Sequence, residues 1–282
     1  MSIITTPAGA KAPSRSAIAD LASILRSHWL LAVEMARREL TDKYAGQLLG
    51  AFWAIGHPLL LMMVYLFVFG YVFRVRIGGT ADLPLDYPAY LLAGLIPWMN
   101  MAENLNKSPI AISNNSNLVK QVVFPVEVLP LKSVLATLPA LLVSLGILVT
   151  YVLVRHQHLP WTYALLPVLI VAQVILASGL AFMLSAVGVY FRDLKDITQV
   201  SVVVGMYLLP VFYLPEMVPQ LFRPLLYLNP FSYLIWCYQD ACYFGRFEHP
   251  WAWLVLALMT LLSVYAGYGL FRRLKPTFGS VL

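Results

Sequence analysis

Six long apolar stretches poor in lysine and arginine, separated by short turns that carry those cations, constrain this chain more than any other feature. Such a pattern is satisfied by helices that cross a bilayer, with the charged turns at its faces. Composition agrees: charged residues make up 11% of the chain and hydrophobic ones 60%, with a mean hydropathy of +0.76. A soluble domain carries about 25% charged residues. The 282 residues suffice for six spans of about 20 residues and their connections.

Residues 1–17, rich in Ala, Ser, Pro and Thr, predict a disordered N-terminal tail without the continuous apolar run of a cleavable signal peptide. From Ile18 to Leu40 apolar Leu21, Leu25, Trp29, Ala32 and Val33 share one side, and Asp20, Arg26, Glu34, Arg37 and Arg38 fall largely elsewhere. That predicts an interfacial cytoplasmic helix and loop over 18–46. The expected spans over 47–282 lie near Gly50–Phe73, Pro88–Lys107, Val126–Val154, Tyr163–Val189, Ile197–Tyr213 and Trp251–Phe271. Pro58 is expected to kink the first. The second carries Asn100, Glu103, Asn104 and Lys107, which must face protein or a wet cavity. Between the fifth and sixth, 214–250 holds Pro215, Pro219, Pro224 and Pro230 and two apolar runs too short to span, so an external re-entrant helical hairpin is expected there. The fold class is therefore an all-α integral membrane protein. With six spans, fourteen Lys and Arg fall on the side of both termini and five on the other, which makes the termini cytoplasmic.

Other chemistries find little support. Cys237 and Cys242 stand five apart on different helix faces and do not form a local disulfide. His156 and His158 lie in a small turn without a third ligand, so no metal site is expected. Glu103, Glu127 and Asp240 lie near span ends or in the re-entrant segment, poorly placed for a proton relay. No G-x-x-x-x-G-K-[S/T] motif is present, so the chain lacks a P-loop of its own.

Three loops carry motifs. The first runs from Arg37 and Arg38 through Lys43, Tyr44 and Gly46 to Leu49, Gly50, Phe52 and Trp53. The second runs from Asn117 through Lys120 to Phe124 and Pro125, with Asn114 or Ser116 expected to cap its short helix. The third is Tyr190, Phe191, Arg192, Asp193 and Leu194, and Leu228-Asn229-Pro230 follows in the external segment. From about residue 20 onward this set resembles the membrane subunit of ABC-2-type polysaccharide exporters, the family of O-antigen, capsule and teichoic-acid export permeases. In its Arg/Lys-Tyr-x-x-Ser-x-Leu-Gly loop the usual Ser is Gln47 here.

The resemblance implies that Arg37, Arg38, Lys43, Tyr44 and Gly50 form the cytoplasmic entrance for a lipid diphosphate. Paired Arg forks suit phosphate oxygens; the alternative is that these cations only set topology and touch anionic lipid. The second loop is similar to the family's coupling helix, with Asn117, Lys120 and Phe124 against an ATPase and Arg192 and Asp193 as a smaller contact. Phe124 packing under its own bundle is the alternative. Phe52, Trp53, Tyr65, Phe69, Tyr207, Phe212 and Tyr213 are candidate conduit aromatics, on which sugar rings slide, or ordinary helix packing. The implied assembly is a homodimer in a bacterial inner membrane with two copies of a separate ABC ATPase, which holds ATP and Mg. Within the class, a drug or lipid exporter is the alternative. A membrane enzyme acting on polyprenyl lipid would need clustered acids or histidines, and the sequence offers none.

Overall fold

The computed structural model describes residues 17–43, 45–47, 50–72, 85–120 and 124–282. The tail before Ala17, Tyr44, Arg74, Arg76 and Gln121 lie outside the described residues. Every regular element among the described residues is helical. In chain order the α-helices are α1 (Ala17–Lys43), α2 (Trp53–Tyr65), α3 (Tyr87–Lys107), α4 (Ser116–Val119), α5 (Val128–Leu135), α6 (Leu138–His156), α7 (Leu166–Gly188), α8 (Leu194–Leu208), α9 (Arg223–Leu228), α10 (Pro230–Gln239), α11 (Pro250–Leu274) and α12 (Phe278–Val281), and a π-helical segment, Leu66–Val72, continues α2.

Helix boundaries follow local chemistry. Asp86 caps α3 by accepting from the Ala89 amide at 3.3 Å. Asn229 caps α10 in the same way toward Phe231, and Pro230 occupies its first position. α8 ends at Leu208, short of the expected Tyr213, because Leu209 precedes Pro210 and turns extended. The third expected span is broken at Ala136–Thr137. Pro139 has no N–H for the Leu135 carbonyl, so a continuous helix is not favoured there. The expected caps of α4 also differ: Asn115 precedes it, and its side chain instead donates to Ala111 O and accepts from Lys132.

Among the described residues, three helical segments are long and apolar enough to cross a membrane: Val128–His156, Trp161–Gly188 and Pro250–Val281. Gly56–Phe69 is a shorter apolar helix. The outward faces of α7 and α11 carry Val168, Val171, Leu261 and Leu262, all exposed, as a lipid-facing surface does.

α3 is the axis of the bundle: fourteen of its 21 residues are buried, and it packs on α2, α5, α6, α7, α8 and α10. α7 and α11 make the most extensive pairing. A Cβ added to Gly267 would stand 2.0 Å from the Gly179 carbonyl oxygen, so only glycine permits this approach. A main apolar core surrounds α3 and α10, and a second cluster near the chain's C-terminal end gathers Ile112, Leu129, Phe182, Tyr268, Phe271 and Phe278.

Residues 214–250 form a compact helical insert of α9, α10 and a π-helical turn over Asp240–Phe244. Cys237 and Cys242 are free and buried within it. Asp240, 1% exposed, accepts from the His249 amide at 3.0 Å and from Trp253 Nε1 at 3.0 Å, and so ties this insert to α11. Glu127 pairs with Lys275 at 2.6 Å. His156 faces Asp86 at 3.3 Å, and among the described residues no three His, Cys, Asp or Glu side chains converge as metal ligands.

Candidate functional site

Two adjoining cavities open along α2 and α8. The larger, about 530 Å³, is enclosed by α2, α3, α6 and α8, with Leu40 and Lys43 of α1 at one end. The smaller, about 500 Å³, is bounded by Val64, Tyr65, Val68, Phe69, Tyr207, Phe212 and Tyr213. Tyr65 and Tyr207 line both, so the two cavities adjoin at these rings.

Five of the seven aromatics singled out in the sequence therefore meet at one place. Phe69 stacks on Phe212 with centroids 4.3 Å apart, and Tyr65 and Tyr207 tilt against Phe212 at 5.6 and 5.9 Å. The stretch that carries Phe212 follows the end of α8 and has carbonyls that no helix satisfies. Side chains from α3 and α10 supply the donors. Tyr87 donates to Phe212 O at 3.1 Å, Tyr90 to Pro210 O and Tyr213 O at 3.0 and 2.9 Å, and Gln239 to Pro210 O at 2.7 Å. The Tyr213 hydroxyl returns to Tyr207 O at 2.9 Å. The aromatic box is thus set by fixed backbone. Phe52 and Trp53 are not brought to it: they line neither cavity, and Phe52 is 62% exposed beside a 3₁₀ turn.

At the other end of the larger cavity lies a line of charges. Glu103 Oε1 meets Lys43 Nζ at 3.1 Å and Lys107 Nζ at 3.0 Å. Lys107 also meets Glu39 at 3.6 Å, and Glu39 meets Lys132 at 3.6 Å. The end of α1 is thereby tied to α3 and α5. Arg37 and Arg38 are exposed on the last turns of α1, with Arg38 3.9 Å from Asp42. Gly46 and Gly50 take positive φ of +77° and +46° just beyond, a backbone shape that suits glycine. Tyr44 lies outside the described residues.

Deeper on α3 a buried amide network replaces apolar packing. Asn100 donates to Thr137 O at 3.2 Å, Asn104 to Thr137 Oγ1 at 3.0 Å, and Gln173 to Asn100 Oδ1 and Pro97 O at 2.9 and 3.0 Å. Thr137 sits at the break between α5 and α6, so Asn100 and Asn104 fasten α3 to that break through its carbonyl and hydroxyl. The polar stripe of α3 was legible in the sequence; its partners Thr137 and Gln173, 37 and 73 residues from Asn100, were not.

On the second and third loops, Asn117, Lys120, Arg192 and Asp193 are exposed. Phe124 is half-buried and packs with Leu118 and Val119 on the second apolar cluster. Phe191, beside Arg192, is 68% exposed. It was not singled out in the sequence, although a phenylalanine beside Arg-Asp in a polar turn was the available signal.

Residues 32–243 match the family model of the ABC-2 type transporter. The chain is similar to the O-antigen export system permease protein RfbA of Klebsiella pneumoniae, 27% identical over 89% of this chain and 95% of that protein. It is 29% identical to the RfbA protein of Myxococcus xanthus over 88% of this chain and 94% of that one. The polysialic acid transport protein KpsM of Escherichia coli is 24% identical over 83% and 90% of the two chains.

Proposed function

The chain belongs to the ABC-2 type transporter family, and from that premise we propose that it is the permease subunit of an ATP-driven exporter that moves a lipid-linked polysaccharide, such as an O-antigen or capsular glycan, out of the cytoplasm. It is a transport subunit, not an enzyme. The observation that carries the substrate class is the pair of adjoining cavities, one with a cationic mouth at Lys43 and Lys107 and the other at the aromatic box around Phe212. Cations suit the diphosphate of a lipid carrier. Faces of Tyr and Phe suit sugar rings, which present C–H groups to them.

In this reading the bacterial inner membrane holds six spans: the helix through Gly50–Val72, then α3, α5 with α6, α7, α8 and α11. The insert 214–250 is external and re-entrant, and both termini are cytoplasmic. The pattern of Lys and Arg supports that orientation. α2, the π-helical turn that follows it and α8 present exposed Met63, Val64, Phe67, Val200, Val203 and Val204, and Val64 borders the smaller cavity. A second copy covering these faces would close the cavities along a two-fold axis. Arg37, Arg38, Tyr44 and Gly50 border the substrate entrance.

Two copies of an ABC ATPase, holding ATP and Mg, bind beneath. Asn117, Lys120, Arg192 and Asp193 offer them polar contacts, Phe191 an apolar anchor, and Phe124 braces the second loop from within. The test is export itself. Deleting the chain should abolish surface glycan and leave lipid-linked glycan inside the cell, and the tagged chain should co-purify with an ATPase. Normal surface glycan in the deletion strain would refute the reading.

A further inference from the structure

One carboxylate oxygen at the mouth of the larger cavity holds two ammonium groups at once: Glu103 Oε1 lies 3.1 Å from Lys43 Nζ and 3.0 Å from Lys107 Nζ. That is the position one phosphate oxygen would take between the same two cations. All three residues line the cavity, and all three side chains are partly exposed, so a ligand can reach them. Asn106, one turn along the same wall, has a buried side-chain carbonyl oxygen without a hydrogen-bond partner among the described residues.

We propose that Lys43 and Lys107 are the diphosphate-binding pair of this cavity and that Glu103 is a built-in stand-in, displaced when a lipid diphosphate enters. The inference rests on the polysaccharide-export reading and adds residues and an exchange mechanism to it. A diphosphate carries more charge than a carboxylate and offers several oxygens, so it displaces Glu103 from the lysines. The exchange is also a signal. Glu103 is one of the ties between α1 and α3, since Lys43 ends α1. Once the diphosphate holds both lysines, the tie between the end of α1 and α3 runs through the cargo instead of through Glu103. Glu39, held by Lys107 and Lys132, keeps the preceding turn of α1 in register with α3 and α5.

The sign of one substitution separates this role from a purely structural tie. The full chain is placed in phosphatidylcholine nanodiscs, and a fluorescent short-chain polyprenyl diphosphate is titrated by anisotropy. Glu103→Gln should bind about tenfold tighter, the factor expected when one charge-assisted competitor is removed. Lys43→Gln combined with Lys107→Gln should bind at least about tenfold weaker on the same grounds. Inorganic diphosphate and phosphatidylglycerol should compete poorly, which distinguishes a lipid diphosphate from a free anion or a bulk lipid headgroup. Wild-type binding with Glu103→Gln equal or weaker would overturn the stand-in role, and strong competition by either control would overturn the ligand class. Wild-type protein that ignores the polyprenyl diphosphate altogether, with surface glycan unchanged in the deletion strain, would overturn the export reading as well.

Discussion

Substituting Gly267 by Ala adds one methyl group at the tightest point of the α7 and α11 pairing. Its Cβ would stand 2.0 Å from Gly179 O and 2.9 Å from Gly179 C, against an ordinary contact of 3.4–4 Å. The obstacle is backbone, so no side chain can rotate away, and the helices must part by more than an ångström. Across from it, a Cβ on Gly179 would meet the Ser263 backbone at 2.4 Å, so both sides are already closed. Overpacking of this kind costs about 1–3 kcal/mol or more. In lipid the separated surfaces recover little, because tight packing rather than apolar burial holds such helices together. We expect a loss of about 3 kcal/mol, at the upper end of that range. At about 2–4 °C per kcal/mol for chains of similar size, thermal unfolding of the detergent-solubilised protein should shift down by about 6–12 °C. The control is Gly269→Ala, two residues along the same helix, where a Cβ meets nothing within 4 Å. It should melt within about 2 °C of the parent, since removing a helical glycine is neutral or helpful. Equal melting of Gly267→Ala and parent, or an equal loss in Gly269→Ala, would refute the close-packing argument.

Four further outcomes are expected. A cysteine at Gln220 should react with an impermeant thiol reagent from outside the cell and one at Lys120 should not; native Cys237 and Cys242 are fully buried and give little background. Arg37→Ala with Arg38→Ala should reduce surface glycan at unchanged expression, and Lys at both positions should restore part of it, because charge remains while the guanidinium fork is lost. Phe212→Ala removes the 4.3 Å stack with Phe69 and should slow export while the ATPase still co-purifies; undiminished surface glycan would count against the aromatic box. Phe191→Ala should weaken ATPase co-purification without changing the melting temperature, whereas half-buried Phe124→Ala should lower melting by about 2 kcal/mol or more in equivalent stability. The reverse pattern would make Phe124 the anchor.

How much of this was legible in one sequence depends on the range of the interaction. Helices stand at all six apolar segments because period and composition are local properties, and the polar stripe of α3 is local too. The box of Tyr65, Phe69, Tyr207, Phe212 and Tyr213 was named as a set from residue type and depth, and its members do meet. Phe52 and Trp53 shared the type but sit at the start of α2, away from both cavities. The pairing of Gly179 with Gly267 was invisible, since nothing in either segment says which helix approaches it. Lys43 was named through the resemblance of its loop to the exporter family, as a cation at the headgroup level. Its joining of Lys107 through Glu103, 60 residues on, needed the packing of α1 beside α3. The break at Thr137 was within reach, since Pro139 signals it, but the surrounding apolar run concealed it.

The central place of α3 bears on the order in which the chain is made. On the proposed six-span reading, a ribosome delivers α3 to the membrane before α6, α7, α8 and α10, the helices that enclose it in the folded protein. Until Gln173 arrives, Asn100 lacks a donor that it has in the folded protein, and Asn104 waits for Thr137. Polar groups held this way in hydrocarbon are costly, so α3 gains its full residence in the bilayer only when later helices are inserted. Synthesis halted after α3 should therefore leave a nascent segment that slips out of the membrane, and one halted after α7 should hold. On that reading, the third helix waits for its partners and paces maturation.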